Sequence, residues 1–197
     1  KAKKIYKNTI IVFTSDNGPT YLGGADTKYF ESAKPFKTAY GFTKGFTNEG
    51  GIRVPFIVSW PNKIKANTKS NALSSFYDMM PTFRELANSK STSKTDGISL
   101  VKTFLSEENK NAKRYLYWEF PSYGGQQAVR IGKWKGIRKN MQKGNTQLSL
   151  YNLEEDLLEN FDVANKHPEV VNNMLAIMKK EHVKSTNKKF HIKALDE

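Results

Sequence analysis

Asp16 and Asn17 are adjacent oxygen-bearing side chains whose place in the sequence suggests chemistry. They follow the apolar run Ile10–Phe13 after only Thr14 and Ser15, and Gly18 and Pro19 come next. A continuous β-branched and aromatic run of this kind predicts a strand that is buried on both faces. Open α/β sheets place their sites just beyond the carboxyl ends of such strands. We therefore expect Asp16 and Asn17 to lie in a site, where their oxygens suit a hard cation.

A second stretch, Lys44–Pro61, combines a positive charge with adjacent glycines and another strand-like run. Gly50 and Gly51 permit close approaches of the backbone that other residues resist. The apolar run within Arg53–Trp60 predicts a second strand. Each motif also has a plainer interpretation, because Asp-Asn-Gly is typical of a turn and Lys44 is one of many lysines.

The elements that must position these residues fall into two parts, which we predict as domains 1–105 and 106–197. In the first, Asp78 is expected to cap a helix over Met79–Ala87, with a proline in its first turn. The second reads as an antiparallel sheet followed by an amphipathic helix over Pro168–Lys184. Its predicted strands are Tyr115–Phe120, Gln126–Ile131, Trp134–Arg138 and Leu148–Leu153.

The composition limits the possible functions. At 197 residues the chain can bury a substantial core, and 12% aromatic residues argue against disorder. The absence of cysteine excludes disulfides, thiolate zinc sites and cysteine nucleophiles within these residues. The net charge of +13 favours anionic partners, but it is spread along the chain without an arginine-rich arm, so we do not expect nucleic-acid binding. No apolar run is long enough to span a membrane.

Three stretches together resemble the sulfatases of the alkaline phosphatase superfamily, namely Thr14–Pro19, Lys44–Phe56 and Asp78–Ala87. The match continues in the family's order through Asp96–Leu100, Ala128–Lys135 and Leu150–Glu154. The resemblance covers nearly the whole chain and corresponds to the C-terminal part of a family member. It implies an α/β fold, in which the end of an alkaline-phosphatase-like sheet domain precedes a small antiparallel sheet packed with a C-terminal helix. It also implies an N-terminal sulfatase half as partner.

The resemblance assigns roles to the motifs. Asp16 and Asn17 correspond to residues that bind one divalent cation, usually Ca²⁺, and Lys44 corresponds to a lysine that contacts the sulfate. The phosphatase relatives have histidine beside the aspartate, where imidazole suits zinc, so Asn17 favours the sulfatase branch. Glu49 and Arg53 are expected to be structural partners that hold the loop.

A further set of candidates lies in the predicted antiparallel sheet. Trp118, Glu119 and Gln126 could line a sugar pocket, since aromatic and amide groups suit glycans; the alternative is that they are ordinary sheet residues. The three histidines, His167, His182 and His191, lie away from every motif and are expected at the surface.

The expected function is that of the C-terminal part of a sulfuric ester hydrolase acting on sulfated sugars or aryl sulfates. The family's nucleophile is a formylglycine made in a Cys/Ser-x-Pro-x-Arg motif, and the nearest match, Ser59–Lys63, has lysine where arginine belongs. We therefore expect no nucleophile in this chain and no activity from it alone. Two alternatives remain: a non-catalytic module that binds sulfated polyanions, and a phosphoesterase of the same superfamily. Export from the cytoplasm is an expectation from the resemblance only.

Overall fold

The computed structural model describes residues 3–21, 23, 26–106 and 114–196. The chain divides into two compact units, Lys1–Thr14 with Pro55–Leu116 and Ser15–Val54 with Tyr117–Glu197. The predicted domain boundary between residues 105 and 106 stays a prediction. Within the described ranges, no helix is both long enough and apolar enough to cross a membrane.

Six strands and five α-helices form from the described residues, joined by loops and short 3-10 turns. The strands are β1 (Ile11–Thr14), β2 (Phe56–Ser59), β3 (Tyr115–Phe120), β4 (Gln126–Ile131), β5 (Trp134–Arg138) and β6 (Ser149–Asn152). The helices are α1 (Glu49–Ile52), α2 (Met79–Leu86), α3 (Val101–Phe104), α4 (Pro168–Glu181) and α5 (Lys193–Asp196). β1 pairs with β2, and β3 to β6 form a second sheet in that order. The predicted α/β fold with a separate antiparallel sheet is thus confirmed.

The first unit contains the ribbon of β1 and β2, which pair antiparallel with Ile11 opposite Ser59. The prediction that β1 is buried on both faces is wrong for this chain, because Ile11 is 46% and Phe13 64% exposed. On β2, Ile57 is 59% exposed. An apolar run specifies a strand by its local pattern, but a two-stranded ribbon cannot cover its own two faces.

A buried carboxylate organises the helical part of the first unit. Asp78 is fully buried, and Arg114 donates two hydrogen bonds to its oxygens at 2.6 and 2.8 Å. The backbone N–H groups of Ser75 and Ile98 donate to the same carboxylate. The expectation that the Asp78 side chain caps α2 is wrong, since it makes no capping bond to that helix. It caps the preceding 3-10 turn instead, in a reciprocal arrangement with Ser75.

The second unit is built on the sheet of β3 to β6, which carries different partners on its two faces. α4 packs on one face, where Met174 and Met178 are buried as the apolar stripe predicted. At Gly136 in β5, a Cβ atom would lie 2.5 Å from Sδ of Met174, so a larger residue there would require the Met174 side chain to move. Side chains alternate along a strand, and the neighbouring Lys135 therefore faces the other side, where it meets α1.

Candidate functional site

The turn after β1 and the loop that contains Lys44 are joined through their backbones. The N–H of Gly18 donates to the carbonyl of Gly51 at 2.9 Å, and the N–H of Lys44 donates to the carbonyl of Pro19 at 3.0 Å. The contact is so close that a Cβ on Gly18 would lie 1.8 Å from the carbonyl oxygen of Gly50. The structure thus brings the segment of Asp16 and Asn17 against the loop of Lys44, two motifs that are separated along the sequence.

The side chains of Asp16 and Asn17 offer neighbouring oxygens that could act as metal ligands. Oδ1 of Asp16 accepts the backbone N–H of Asn17 at 2.9 Å, which fixes the carboxylate next to the turn. Nδ2 of Asn17 donates to the carbonyl of Gly18 at 2.9 Å, so its Oδ1 is left as an acceptor. Asp16 is exposed and Asn17 is half-buried.

These two side chains fit part of a hard cation's shell. Ca²⁺ takes about six to eight oxygen ligands, and a neighbouring carboxylate and amide supply two of them. Within the part of the chain that the structure describes, no group of three or more His, Cys, Asp or Glu side chains could hold a metal ion. The predicted Ca²⁺ site at Asp16 and Asn17 therefore stays a prediction.

The loop that follows Lys44 is anchored from the sheet by Gln126. This side chain is fully buried at the start of β4, and its Nε2 donates to the carbonyl of Gly45 at 2.9 Å. Its Oε1 accepts the backbone N–H of Thr47 at 3.1 Å. Both ends of the amide are thus bonded to the loop, on either side of Phe46, while Lys44 itself is exposed. Substrate contact by Gln126 stays a prediction; the observed contacts position the loop of Lys44.

A buried ion-pair network holds the next segment of the loop. Glu49, at the start of α1, lies 2.8 Å from Nζ of Lys135 and 3.2 Å from guanidinium nitrogens of Arg130 and Arg53. The side chain of Lys135 is fully buried. Burial alone would raise the pKa of Glu49, but the three cations outweigh it and hold that pKa at about 2. The expected pairing of Glu49 with Arg53 is observed, and Lys135 and Arg130 extend it.

A second buried carboxylate, Glu159, braces the same segment. Its Oε2 accepts hydrogen bonds from Nδ2 of Asn48 and from the backbone N–H of Glu49, each at 3.0 Å. Burial raises the pKa of Glu159, and the nearby Lys135 opposes that shift. Neither Glu159 nor Lys135 was among the residues predicted to act in the site. A lysine between Trp134 and Gly136 in a strand was the available signal, because a long cation among apolar neighbours usually needs a buried partner.

The remaining sugar-pocket candidates lie on opposite faces of the sheet. Trp118 is on the same face as α1, with Nζ of Lys135 5.2 Å from its ring centroid. Glu119 faces the end of α4, where Nδ1 of His182 lies 2.8 Å from Oε2 of Glu119. Tyr117 also donates to this carboxylate. The expectation that His182 is a surface residue is wrong, because its side chain is only 15% exposed. Substrate roles for Trp118 and Glu119 stay predictions.

The arrangement has a definite chemical capacity. One side offers a carboxylate and an amide oxygen, and the adjoining loop offers the ammonium group of Lys44. Oxygens that suit a cation, on a segment bonded to a loop that carries a positive charge, can together receive an anionic group that is itself bound to the cation. The loop is held from beneath by Gln126 and by the network around Glu49.

Comparison with known proteins agrees with this description. Residues 39–196 match the family model for "N-sulphoglucosamine sulphohydrolase, C-terminal". The chain is 31% identical over 187 residues to an N-acetylgalactosamine-6-O-sulfatase of Bacteroides thetaiotaomicron, an alignment that covers 87% of this chain and 36% of the relative. It is also 34% identical over 143 residues to mouse arylsulfatase G, covering 66% of this chain and 26% of the relative.

The solved structures give the same result. The protein Ps i-CgsB, which has also been solved in complex with k-i-k-neocarrahexaose, superposes with a TM-score of 0.74 at 29% identity and covers 97% of this chain. A phosphonate monoester hydrolase of Agrobacterium radiobacter shares the fold with a TM-score of 0.64 at 18% identity, over 92% of this chain.

Fold and sequence define a class, the alkaline-phosphatase-like hydrolases. Within that class the chain belongs to the sulfatase family, and it matches the C-terminal part of its members. The chain spans about a third of the length of the relatives that it matches over most of its own length, 36% of the Bacteroides sulfatase and 38% of Ps i-CgsB.

Proposed function

We propose that this chain forms the C-terminal part of a sulfuric ester hydrolase that acts on sulfated sugars. One observation carries the proposal beyond family membership: the backbone junction that sets Asp16 and Asn17 against the loop of Lys44. The relatives include sulfatases named for N-acetylgalactosamine and N-acetylglucosamine sulfates, which supports a sugar sulfate as the substrate class.

In the proposed site, Asp16 and Asn17 supply two oxygens to a Ca²⁺ ion, and Lys44 contacts the sulfate. A bound Ca²⁺ would neutralise sulfate oxygens and orient the group for attack. Lys44 adds a compact positive charge toward the same anion or the oxygen that leaves with the sugar. Gln126 and Glu159 hold the loop that follows Lys44 before substrate binds.

The test is hydrolysis of 4-methylumbelliferyl sulfate by the product of the complete gene, with CaCl2 and after treatment with EDTA. Lys44→Ala is expected to lower kcat/KM about a hundredfold, the typical effect of removing one charge-stabilising donor. Asp16→Ala should abolish the response to Ca²⁺. Lys90→Ala, at an exposed position in the other unit, is the matched control and should not change activity. Equal activity in the Lys44 and Lys90 variants would contradict the proposal.

Two alternatives have their own supporting observations. The fold likeness to a phosphonate monoester hydrolase favours a phosphoesterase of the same superfamily, and faster turnover of phosphate or phosphonate esters than of sulfate esters would establish it. The net charge of +13 favours a non-catalytic polyanion-binding module. Heparin binding that survives 150 mM salt, is insensitive to Lys44→Ala and occurs without any ester hydrolysis would support that alternative.

A further inference from the structure

A row of aromatic rings lies next to the loop of Lys44. We call Tyr40, Phe46, Tyr123 and Phe120 the aromatic row. The ring centroids of Tyr40 and Phe46 are 5.5 Å apart, those of Phe46 and Tyr123 5.3 Å, and those of Tyr123 and Phe120 6.1 Å. These spacings are typical of aromatic pairs in contact, so the four rings form one continuous surface rather than separate side chains.

Two members of the aromatic row are open to solvent. Tyr40 and Tyr123 are each 57% exposed, while Phe46 and Phe120 are half-buried and support them. Large contiguous apolar patches on a protein surface mark interaction sites or ligand-binding grooves. Aromatic rings with polar hydroxyls are also common in the walls of sites for small ligands.

The backbone at Tyr123 is shaped to present its ring. Tyr123 has a φ of 51°, a left-handed conformation that is uncommon for a bulky residue. The turn that carries it is tied down by Met141 and Gln142, whose N–H groups donate to the carbonyls of Gly125 and Gly124 at 3.2 and 2.9 Å. This conformation is therefore fixed by the surrounding structure.

The aromatic row reaches the residue next to Lys44. A Cβ on Gly45 would lie 2.9 Å from the ring of Tyr123, so the ring rests directly on the backbone that follows the lysine. Phe46 is the next residue along the loop. A sugar whose sulfate meets Lys44 would therefore bring its own ring, or that of its neighbour, to the aromatic row.

The charge next to the aromatic row suits a sulfated ligand. Nζ of Lys139 lies 5.4 Å from the ring centroid of Phe46 and 4.8 Å from that of Phe42, and Nζ of Lys37 lies 4.1 Å from Phe42 on the same loop. Partial burial, with Lys37 and Lys135 nearby, lowers the pKa of Lys139 to about 8, so it is still mostly charged at neutral pH. Aromatic faces and ammonium groups together complement the C–H faces and sulfate groups of a sulfated oligosaccharide.

We propose that the aromatic row is a sugar-binding subsite that stacks on pyranose rings of a sulfated oligosaccharide beside Lys44. The proposal rests on the proposed function, because it takes Lys44 as the residue that meets the sulfate. It adds a binding site for the part of the substrate beyond the sulfate group. It also predicts that this protein binds sulfated oligosaccharides more tightly than inorganic sulfate.

The test measures binding of the 197-residue chain to a chondroitin 6-sulfate tetrasaccharide, to its desulfated form and to inorganic sulfate, by isothermal titration in 150 mM NaCl. Tyr40→Leu and Tyr123→Leu should each weaken tetrasaccharide binding about fivefold, the scale of one lost aromatic contact. Binding of the desulfated form should weaken in the same proportion, and the affinity for inorganic sulfate should not change. Phe190→Leu removes another exposed ring and should have no effect.

Each outcome decides the proposal. Unchanged tetrasaccharide affinity in both tyrosine variants, or an equal loss in the Phe190 variant, would overturn it. Tetrasaccharide binding no tighter than that of inorganic sulfate would overturn it as well. Far-UV circular dichroism and the melting temperature separate these effects from unfolding. If the complete gene product hydrolyses sulfate esters but Tyr40→Leu and Tyr123→Leu do not weaken tetrasaccharide binding, the subsite is refuted and the proposed function stands. If the two variants do weaken tetrasaccharide binding but the complete gene product hydrolyses no sulfate ester, the proposed function is refuted.

Discussion

Replacing Lys135 by Met should strongly destabilise the second unit, because it leaves Glu49 buried with its nearest cation gone. Glu49 and Lys135 lie 2.8 Å apart with side chains 3% and 0% exposed, so solvent screens neither charge. Holding the pKa of Glu49 at about 2 rather than 4.5 corresponds to about 3 kcal/mol of folding free energy. Loss of one partner of a buried pair typically costs about 3–5 kcal/mol. We therefore expect Lys135→Met to lower the free energy of unfolding by about 3 kcal/mol at pH 7.

The pH dependence provides an independent check. In the wild type the folded pKa of Glu49 is depressed, so its stabilising effect is fully present above pH 4.5 and is lost as the pH falls through about 2. In Lys135→Met, burial favours the protonated form of Glu49, so the stabilisation that the ionised carboxylate gives in the wild type is missing. The two stability curves should therefore converge as the pH is lowered from 5 to 3.

Urea unfolding followed by far-UV circular dichroism at pH 7, 5 and 3 measures both effects. Lys143→Met, at an exposed position, is the control and should change stability little. The double variant Glu49→Leu with Lys135→Met should recover part of the loss, because the two charges of the closest buried pair are removed together. If the free energy of unfolding falls by less than about 1 kcal/mol at pH 7, the Glu49–Lys135 pair contributes no more than a surface ion pair, and the reasoning is refuted. An undiminished loss at pH 3 would show that packing, not charge, is responsible.

Three further predictions follow from buried contacts. Arg114→Ala should lower the free energy of unfolding by about 3 kcal/mol or more, because Asp78 is left buried and unpaired; a loss near zero in urea denaturation would contradict this. Gly136→Val should cost about 2 kcal/mol, since the added atoms overlap Met174; an unchanged melting temperature would show that α4 moves away freely. Gln126→Ala should speed hydrogen exchange at the Thr47 amide by about tenfold, because that N–H loses its buried hydrogen bond to the Gln126 side chain; unchanged exchange would mean that the loop keeps its conformation without Gln126.

Each of these predictions has a matched control. Lys102→Ala removes an exposed cation from the same unit as Arg114 and should be silent. Adding Met174→Ala to the Gly136→Val variant should restore part of the lost stability if overlap is the cause. Gln147→Ala, at an exposed position, should leave exchange at the Lys44 loop unchanged.

The sequence by itself determined the secondary structure of the second unit and the family. Alternation and aromatic content located β3 to β6 within a residue or two, and the 3–4 spacing of Met174 and Met178 located α4 and its buried face. These signals are local, because side-chain periodicity follows from backbone geometry alone. The motifs around Asp16 and Lys44 were recognisable for a similar reason, since they are short and their residues stand in a fixed order.

Only the tertiary structure decided which side chains meet. Glu49 and Lys135 are 86 positions apart, and Thr47 and Gln126 are 79 apart, so no local pattern joins them. Burial also depended on neighbours, because the apolar Phe13 forms a strand as its sequence predicts and is nonetheless exposed in this chain. Long-range pairing and burial are properties of how elements pack, whereas a sequence pattern reports only what each element prefers on its own.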